Sequence, residues 1–261
     1  HGLSTAWLLE GLAVWLIVIP IALLVFGRRP LHPGRQTTAG GAPAGHAPPA
    51  ATGWSVRDAL RTPMFWVIDA AVAASGMLTT GLNFHQIAAL GEQGLTASQA
   101  ALNFLPQAVT TMTVTIAIGA LADKVAPKYG LVVAMLLLAG SLLTLSMVDS
   151  MWTALLYGGL LGAAGGSVRT VEAAAFTHYF GTANIGAIRG LATTISVAST
   201  AFGPLALSLG QDLTGSYGTT ALGLLLIPLT VAVGAVLVRP PQRRGGPAAG
   251  TSADRLDHTP A

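Results

Sequence analysis

Apolar residues run through this chain in seven long stretches, at about 6–26, 64–90, 98–121, 129–148, 151–177, 190–210 and 218–238. Each approaches the roughly 20 predominantly apolar residues that a helix needs to cross a bilayer, so the pattern predicts an all-α membrane protein with seven transmembrane helices. The polar stretches between them are unequal. Residues 28–53, RRPLHPGRQTTAGGAPAGHAPPAATG, are rich in Pro, Gly, Ala and Thr and carry no periodicity, which predicts a disordered linker. Residues 54–62, WSVRDALRT, predict a short helix on the membrane surface, with Trp54 dipping inward and Arg57 and Arg61 on the headgroups. Pro63 then stands where a first helical turn accepts proline. The loops at 91–97, 149–150 and 211–217 are short, and the Pro/Arg/Gly-rich tail from 239 is expected to be disordered. The domain plan is a helix in 1–27, a linker with its surface helix in 28–62, a six-helix bundle in 63–238 and a tail in 239–261.

Charge orients this plan. Of the 13 Lys and Arg residues, all but Arg169 lie between or beyond the spans, and the other 12 fall on one side if the first span runs outward to inward. The opposite loops hold only Glu92, Asp149 and Asp212. This is the positive-inside pattern, and it predicts a multi-pass protein of a plasma membrane with a cytoplasmic C-terminus. Charged residues are 9% of the chain, against about 25% in soluble domains. The 32 glycines suit close packing of helices in lipid. The basic balance is spent on topology, so no nucleic-acid partner is expected; the bilayer is the partner implied. Zero cysteines exclude disulfides, thiolate metal sites and a Cys nucleophile, and the six His have no metal-ligand spacing. The chain opens at His1 with a span that would enter from outside, which predicts the C-terminal part of a longer polypeptide.

Arg169 is the cation that topology does not explain. Gly158, Gly162 and Gly166 repeat every four residues in its span, spacing that admits a neighbouring backbone. Arg169 falls within the arc of those glycines with Glu172 beside it. Two readings stay open: an internal Arg169–Glu172 salt bridge, or an anion site in which the Arg169 guanidinium forks onto a carboxylate. In the second span Asp69, Ala73, Gly76, Thr80 and Asn83 share a face; Thr80 and Asn83 are cavity-lining candidates, and Asp69 may equally pair with a cation near the surface. His85 lies nearly opposite Asp69, as a satisfied interfacial histidine or a proton-sensing one. Asn103, Pro106, Gln107 and Thr110 mark one face of the third span; Thr193, Ser196, Thr200 and Gly203, then Pro204, mark the sixth. Such stripes either join helices or line a watery path, and the prolines permit kinks. Residues 119–130 and 210–218 echo each other weakly, which predicts two three-helix repeats of opposite topology in spans 2–4 and 5–7.

The segment Gly119-x-x-x-Asp123-Lys124 followed by Lys128 resembles the loop between helices 8 and 9 of the major facilitator superfamily, with Ala-Pro at 126–127 in place of the usual Gly-Arg. Residues 178–192 and 203–217 look like the helix 10–12 region of its monocarboxylate-transporter-like bacterial members, among them the oxalate/formate antiporters. Residues 54–66 are similar to the start of helix 7 in that group. The resemblance implies a major facilitator-type bundle with seven helices, 6–12, of an expected twelve. It also implies alternating access, an inner-face latch built on Gly119, Asp123, Lys124 and Lys128, and a missing N-terminal half as partner. Some relatives use basic residues in helices 8 and 11; here Arg169 in helix 10 would take that part.

The expected function is secondary active transport of a small organic anion, a monocarboxylate foremost, by proton symport or anion exchange. Substrate contacts are assigned to Arg169, Asn83, Asn103, Gln107 and Thr80, and Glu172, Asp69 and His85 are the proton-coupling candidates. The alternatives are a neutral or other small solute, or a sensor that does not transport, with Arg169–Glu172 as a structural bridge. Neither a metal nor another cofactor is called for, and no ATP-binding G-x-x-x-x-G-K-[ST] occurs. A retinal protein is excluded by the absence of Lys from 218–238, and the residues for a membrane-embedded enzyme are lacking.

Overall fold

The computed structural model describes residues 12, 15, 16, 19, 20, 53–121 and 125–241. The chain divides into two compact units, 1–49 and 50–261. In the first unit the five described residues are helical, and Leu12, Trp15, Leu16 and Ile19 are exposed. The rest of the first span, the linker up to residue 52, Asp123, Lys124 and the tail from 242 lie outside the described residues.

The described residues of the second unit are almost entirely helical. A short helix, α1 (Val56–Leu60), begins at Ser55, whose Oγ accepts the Asp58 N–H at 3.1 Å. It gives way to α2 (Pro63–Glu92), with Thr62 as N-cap and Pro63 in the first turn, as the sequence predicts. There follow α3 (Ala97–Leu102), α4 (Phe104–Leu121), α5 (Pro127–Ser146), α6 (Met151–Phe180), α7 (Ile185–Thr200), α8 (Phe202–Thr214), α9 (Tyr217–Leu224) and α10 (Leu226–Leu237). Capping boxes start α3 (Thr96 with Gln99) and α6 (Ser150 with Thr153), satisfying N–H groups that a helix start leaves free. Gly215, left-handed at φ 74°, ends α8 with its N–H on the Gln211 carbonyl at 2.8 Å.

Among the described residues five helical runs are long and apolar enough to cross a membrane: α2, α3 with α4, α5, α7 with α8, and α9 with α10. Helix α6 matches α2 at 30 residues, but five glycines dilute its apolar character. Three of the runs are interrupted, at Asn103, Ala201 and Leu225. Each break stands three residues before a proline: Pro106, Pro204 and Pro228. The cause is common to all three. Proline supplies no N–H to the carbonyl four residues back, and its ring clashes there.

The helices fall into two consecutive sets, α2 to α5 and α6 to α10. Each opens with a 30-residue helix, continues with a broken run (Ala97–Leu121, Ile185–Thr214) and closes with one of 20 or 21 residues. Packing is reciprocal: α6 lies along α4, and α2 lies along α7–α8. Glycine makes both contacts close. A Cβ added at Gly162 would strike the Gln107 carbonyl and the Thr110 hydroxyl; one at Gly81 would stand 2.6 Å from the Gly203 carbonyl. Helices α5 and α10 pack behind, and the apolar core lies there, around Met64, Phe65, Leu131, Met135, Tyr157 and Phe176.

The expected surface segment at 54–62 is better held than its sequence suggests. Gly53 bridges Gly181, the Trp54 N–H donates to the Phe180 carbonyl at 2.9 Å, and Asn184 Nδ2 donates to the Trp54 carbonyl at 2.9 Å. The Trp54 ring meets Phe180 edge-on, 6.0 Å between centroids. This segment is stitched to the turn between α6 and α7.

Candidate functional site

A cavity of about 830 Å³ lies among α2, α4, α6 and α7, the opening helix and the broken helix of each set. The closing helices α5, α9 and α10 contribute nothing to its wall. Of the residues singled out from sequence, Arg169, Glu172, Asn83, Gln107 and Thr80 come together on this wall.

Arg169 extends from α6 into the cavity, exposed there, and makes no ion pair or hydrogen bond with the described residues. The predicted alternative, an Arg169–Glu172 salt bridge, is therefore corrected. Glu172 Oε1 pairs instead with Arg189 NH2 across the gap from α7, at 3.7 Å. The i, i+3 spacing permits a pair on one helix but does not compel it when a cation on the facing helix competes. This pair is long, and the Arg189 side chain is 43% exposed, so its strength is that of a surface bridge. Glu172→Gln is expected to change unfolding stability by less than about 1 kcal/mol, measured by thermal unfolding in detergent. A loss several times larger would show that the bridge holds α7 on α6.

At the other end of the cavity Gln107 Nε2 donates to Asn83 Oδ1 at 2.8 Å, joining α4 to α2. Gln107 is 8% exposed and its Oε1 has no partner, while the Asn83 amide nitrogen is left to face the cavity. Gln107 packs at the level of Gly162, seven residues before Arg169 on α6, so the amide pair and the guanidinium base are roughly 10 Å apart along the helix axis.

Three candidates do not reach the wall. Asn103 is fully buried at the break between α3 and α4, its amide pressed against Gly158 and neither polar atom satisfied. The kink ahead of Pro106 turns it onto α6 instead of into the cavity. Asp69 is 2% exposed, with Oδ1 unpartnered; it shares a face with Gly76, Thr80 and Asn83, but the cavity closes one turn before it, at Val72. His85 is tied between elements: Nε2 lies 3.1 Å from the Pro204 carbonyl and Nδ1 3.2 Å from the Tyr217 hydroxyl. A carbonyl only accepts, so Nε2 carries the proton.

The glycine seam behaves as its spacing predicts. Gly158, Gly162 and Gly166 stand against Asn103, Gln107 and Thr111, and the Thr111 hydroxyl donates to the Gly162 carbonyl at 3.0 Å. Of the four latch residues, Asp123 and Lys124 lie outside the described residues. Gly119 faces Thr170, and Lys128 Nζ sits 5.0 Å above the Tyr129 ring. No group of three His, Cys, Asp or Glu residues could hold a metal among the described residues.

Sequence reasoning missed Ser75 and Thr79 on the wall, and Arg189 as the partner of Glu172. Ser75, Thr79 and Asn83 are spaced by four, so the pattern was present; Arg189 belongs to another helix, and its approach depends on packing. The site that emerges has a free guanidinium at one end and an amide pair at the other. No protein-family model matches the chain, and no curated protein matches it at a significant level.

Proposed function

We propose that this chain is the C-terminal, seven-helix part of a major facilitator-type secondary transporter, of the monocarboxylate-transporter-like branch, and that it carries a small organic anion. One observation carries the reading: an arginine within the 30-residue helix α6 is exposed to a cavity that also presents hydroxyls and amides, and it has no partner among the described residues. A cation within a membrane span is costly and is retained for a use. Arg169 holds the carboxylate; Asn83, Gln107 and Thr80 orient the rest of the substrate. Glu172, paired across to Arg189, is the group best placed to exchange a proton or to release Arg189 as the helices rock. The reading places the cationic end of the bundle, with the C-terminus, in the cytoplasm of a bacterial cell. The Gly119–Lys128 loop there serves as the latch against an N-terminal half that completes the cavity.

Counterflow tests this. Proteoliposomes bearing the complete polypeptide, preloaded with a small carboxylate, are expected to accumulate the labelled carboxylate faster than empty vesicles. A mono- and dicarboxylate panel that gives neither trans-stimulated uptake nor saturable binding would overturn the proposal.

A further inference from the structure

The wall of the cavity is unusual in what its hydroxyls do. The ordinary behaviour in these helices is to return the hydroxyl to a carbonyl one turn back: Thr110, Thr113 and Thr194 away from the wall, and Thr111 and Thr200 on it, do so at 2.7–3.2 Å. That is the ordinary satisfaction of such a group in an apolar helix. The hydroxyls of Ser75, Thr79 and Thr80 on α2 and of Thr193 and Ser196 on α7 also line the cavity and make no hydrogen bond among the described residues. Thr79 Oγ1 is itself buried without a partner. The amide pair adds complementary capacity, two N–H donors on Asn83 Nδ2 and a buried acceptor on Gln107 Oε1. A plain alkyl chain laid along this wall would leave every one of these groups unpaired, and unpaired polar groups out of water cost more than paired ones gain.

We infer that the site selects a polyhydroxylated carboxylate, a sugar acid of roughly four to six carbons, over an unsubstituted fatty or keto acid. The inference rests on the anion-transport reading and specifies its substrate. The carboxylate sits on Arg169. The hydroxyl-bearing carbons run along the α2 and α7 faces toward Asn83 and Gln107, a span of roughly 10 Å less the reach of the side chains. Each substrate hydroxyl both donates and accepts, which is what free Ser and Thr hydroxyls beside an amide pair require.

Matched ligands test it on the purified complete polypeptide, by concentration-dependent thermal stabilisation: erythronate against butanoate and erythritol, and gluconate against hexanoate and glucitol. The hydroxylated acids are expected to bind at least tenfold more tightly than either the plain acids or the uncharged polyols, because a site built to hydrogen-bond a hydroxyl rejects the analogue lacking it. Ser196→Ala is expected to reduce that preference severalfold without weakening the plain acids; it removes one oxygen at a cavity wall and keeps the test independent of folding. Plain acids binding as tightly as hydroxylated ones would overturn this inference and leave the anion reading standing. Polyols binding as tightly as the acids would remove the role of Arg169 and the anion reading with it. Binding by none of the six would overturn this inference.

Discussion

Arg169→Ala is expected to abolish anion uptake while leaving expression and folding unchanged. The two halves of that expectation come from one fact: the guanidinium has no partner among the described residues. Truncating one member of a buried ion pair usually strands the other, and that stranded charge destabilises the protein. Here nothing is stranded. Binding loses a charge-assisted, bidentate contact, which is worth about 3 kcal/mol, or roughly a hundredfold in affinity. Arg169→Lys keeps the charge and loses the fork, so an intermediate loss of about tenfold is expected. Initial uptake rates in the complete polypeptide, with monodispersity in detergent as the folding control, decide the matter. Uptake with unchanged affinity in Arg169→Ala would remove the anion site.

Gly162→Ala is expected to be strongly destabilising. An added methyl would overlap the Gln107 carbonyl and the Thr110 hydroxyl, and a backbone atom cannot turn aside as a side chain can. Helix α6 would have to move off α4, weakening the bond from the Thr111 hydroxyl to the Gly162 carbonyl. Overpacking of this kind costs about 3 kcal/mol. The control lies three residues on. A Cβ at Gly165 meets nothing within 4 Å, so Gly165→Ala is expected to stabilise α6 by up to about 1 kcal/mol through helix propensity alone. Thermal unfolding of the two variants side by side separates seam packing from propensity. Equal stabilities would mean that α6 and α4 are not in close contact.

What the sequence discloses follows from the range of the forces concerned. Spans 2 to 7 are legible as helices, five of them apolar enough to cross a membrane, because apolar length and caps are local: Thr62 and Pro63 start α2 where expected, and Ser150 starts α6. The kinks at Pro106 and Pro204 are legible for the same reason, and Pro228 obeys the identical rule unremarked. The glycine seam is legible as a seam, though not its partner. Helical phase places Arg169, Asn83, Gln107 and Thr80 on inward faces, and they do meet. Phase gives an angle, not a depth, and that is where Asp69 is lost: it has the right bearing and lies below the floor of the cavity. Asn103 fails because a kink changes the bearing itself. Glu172 and Arg189 stand 17 residues apart on the two helices that flank the 181–184 turn, so their pairing depends on the spacing of those helices, which packing alone sets.

The stitching of residues 53 and 54 onto the α6–α7 turn has a mechanical meaning. Gly53 and Trp54 precede α2 in the chain, yet Gly53 bridges Gly181 and Trp54 hydrogen-bonds with Phe180 and Asn184. A tension carried by the polypeptide ahead of residue 53 therefore does not pull first on the helix it leads into. It is delivered to the turn between α6 and α7, the helices that bear Arg169, Glu172 and Arg189. The segment acts as a tether whose load reaches the two cavity walls with the charges on them, and α2 bears it only after those bonds give way.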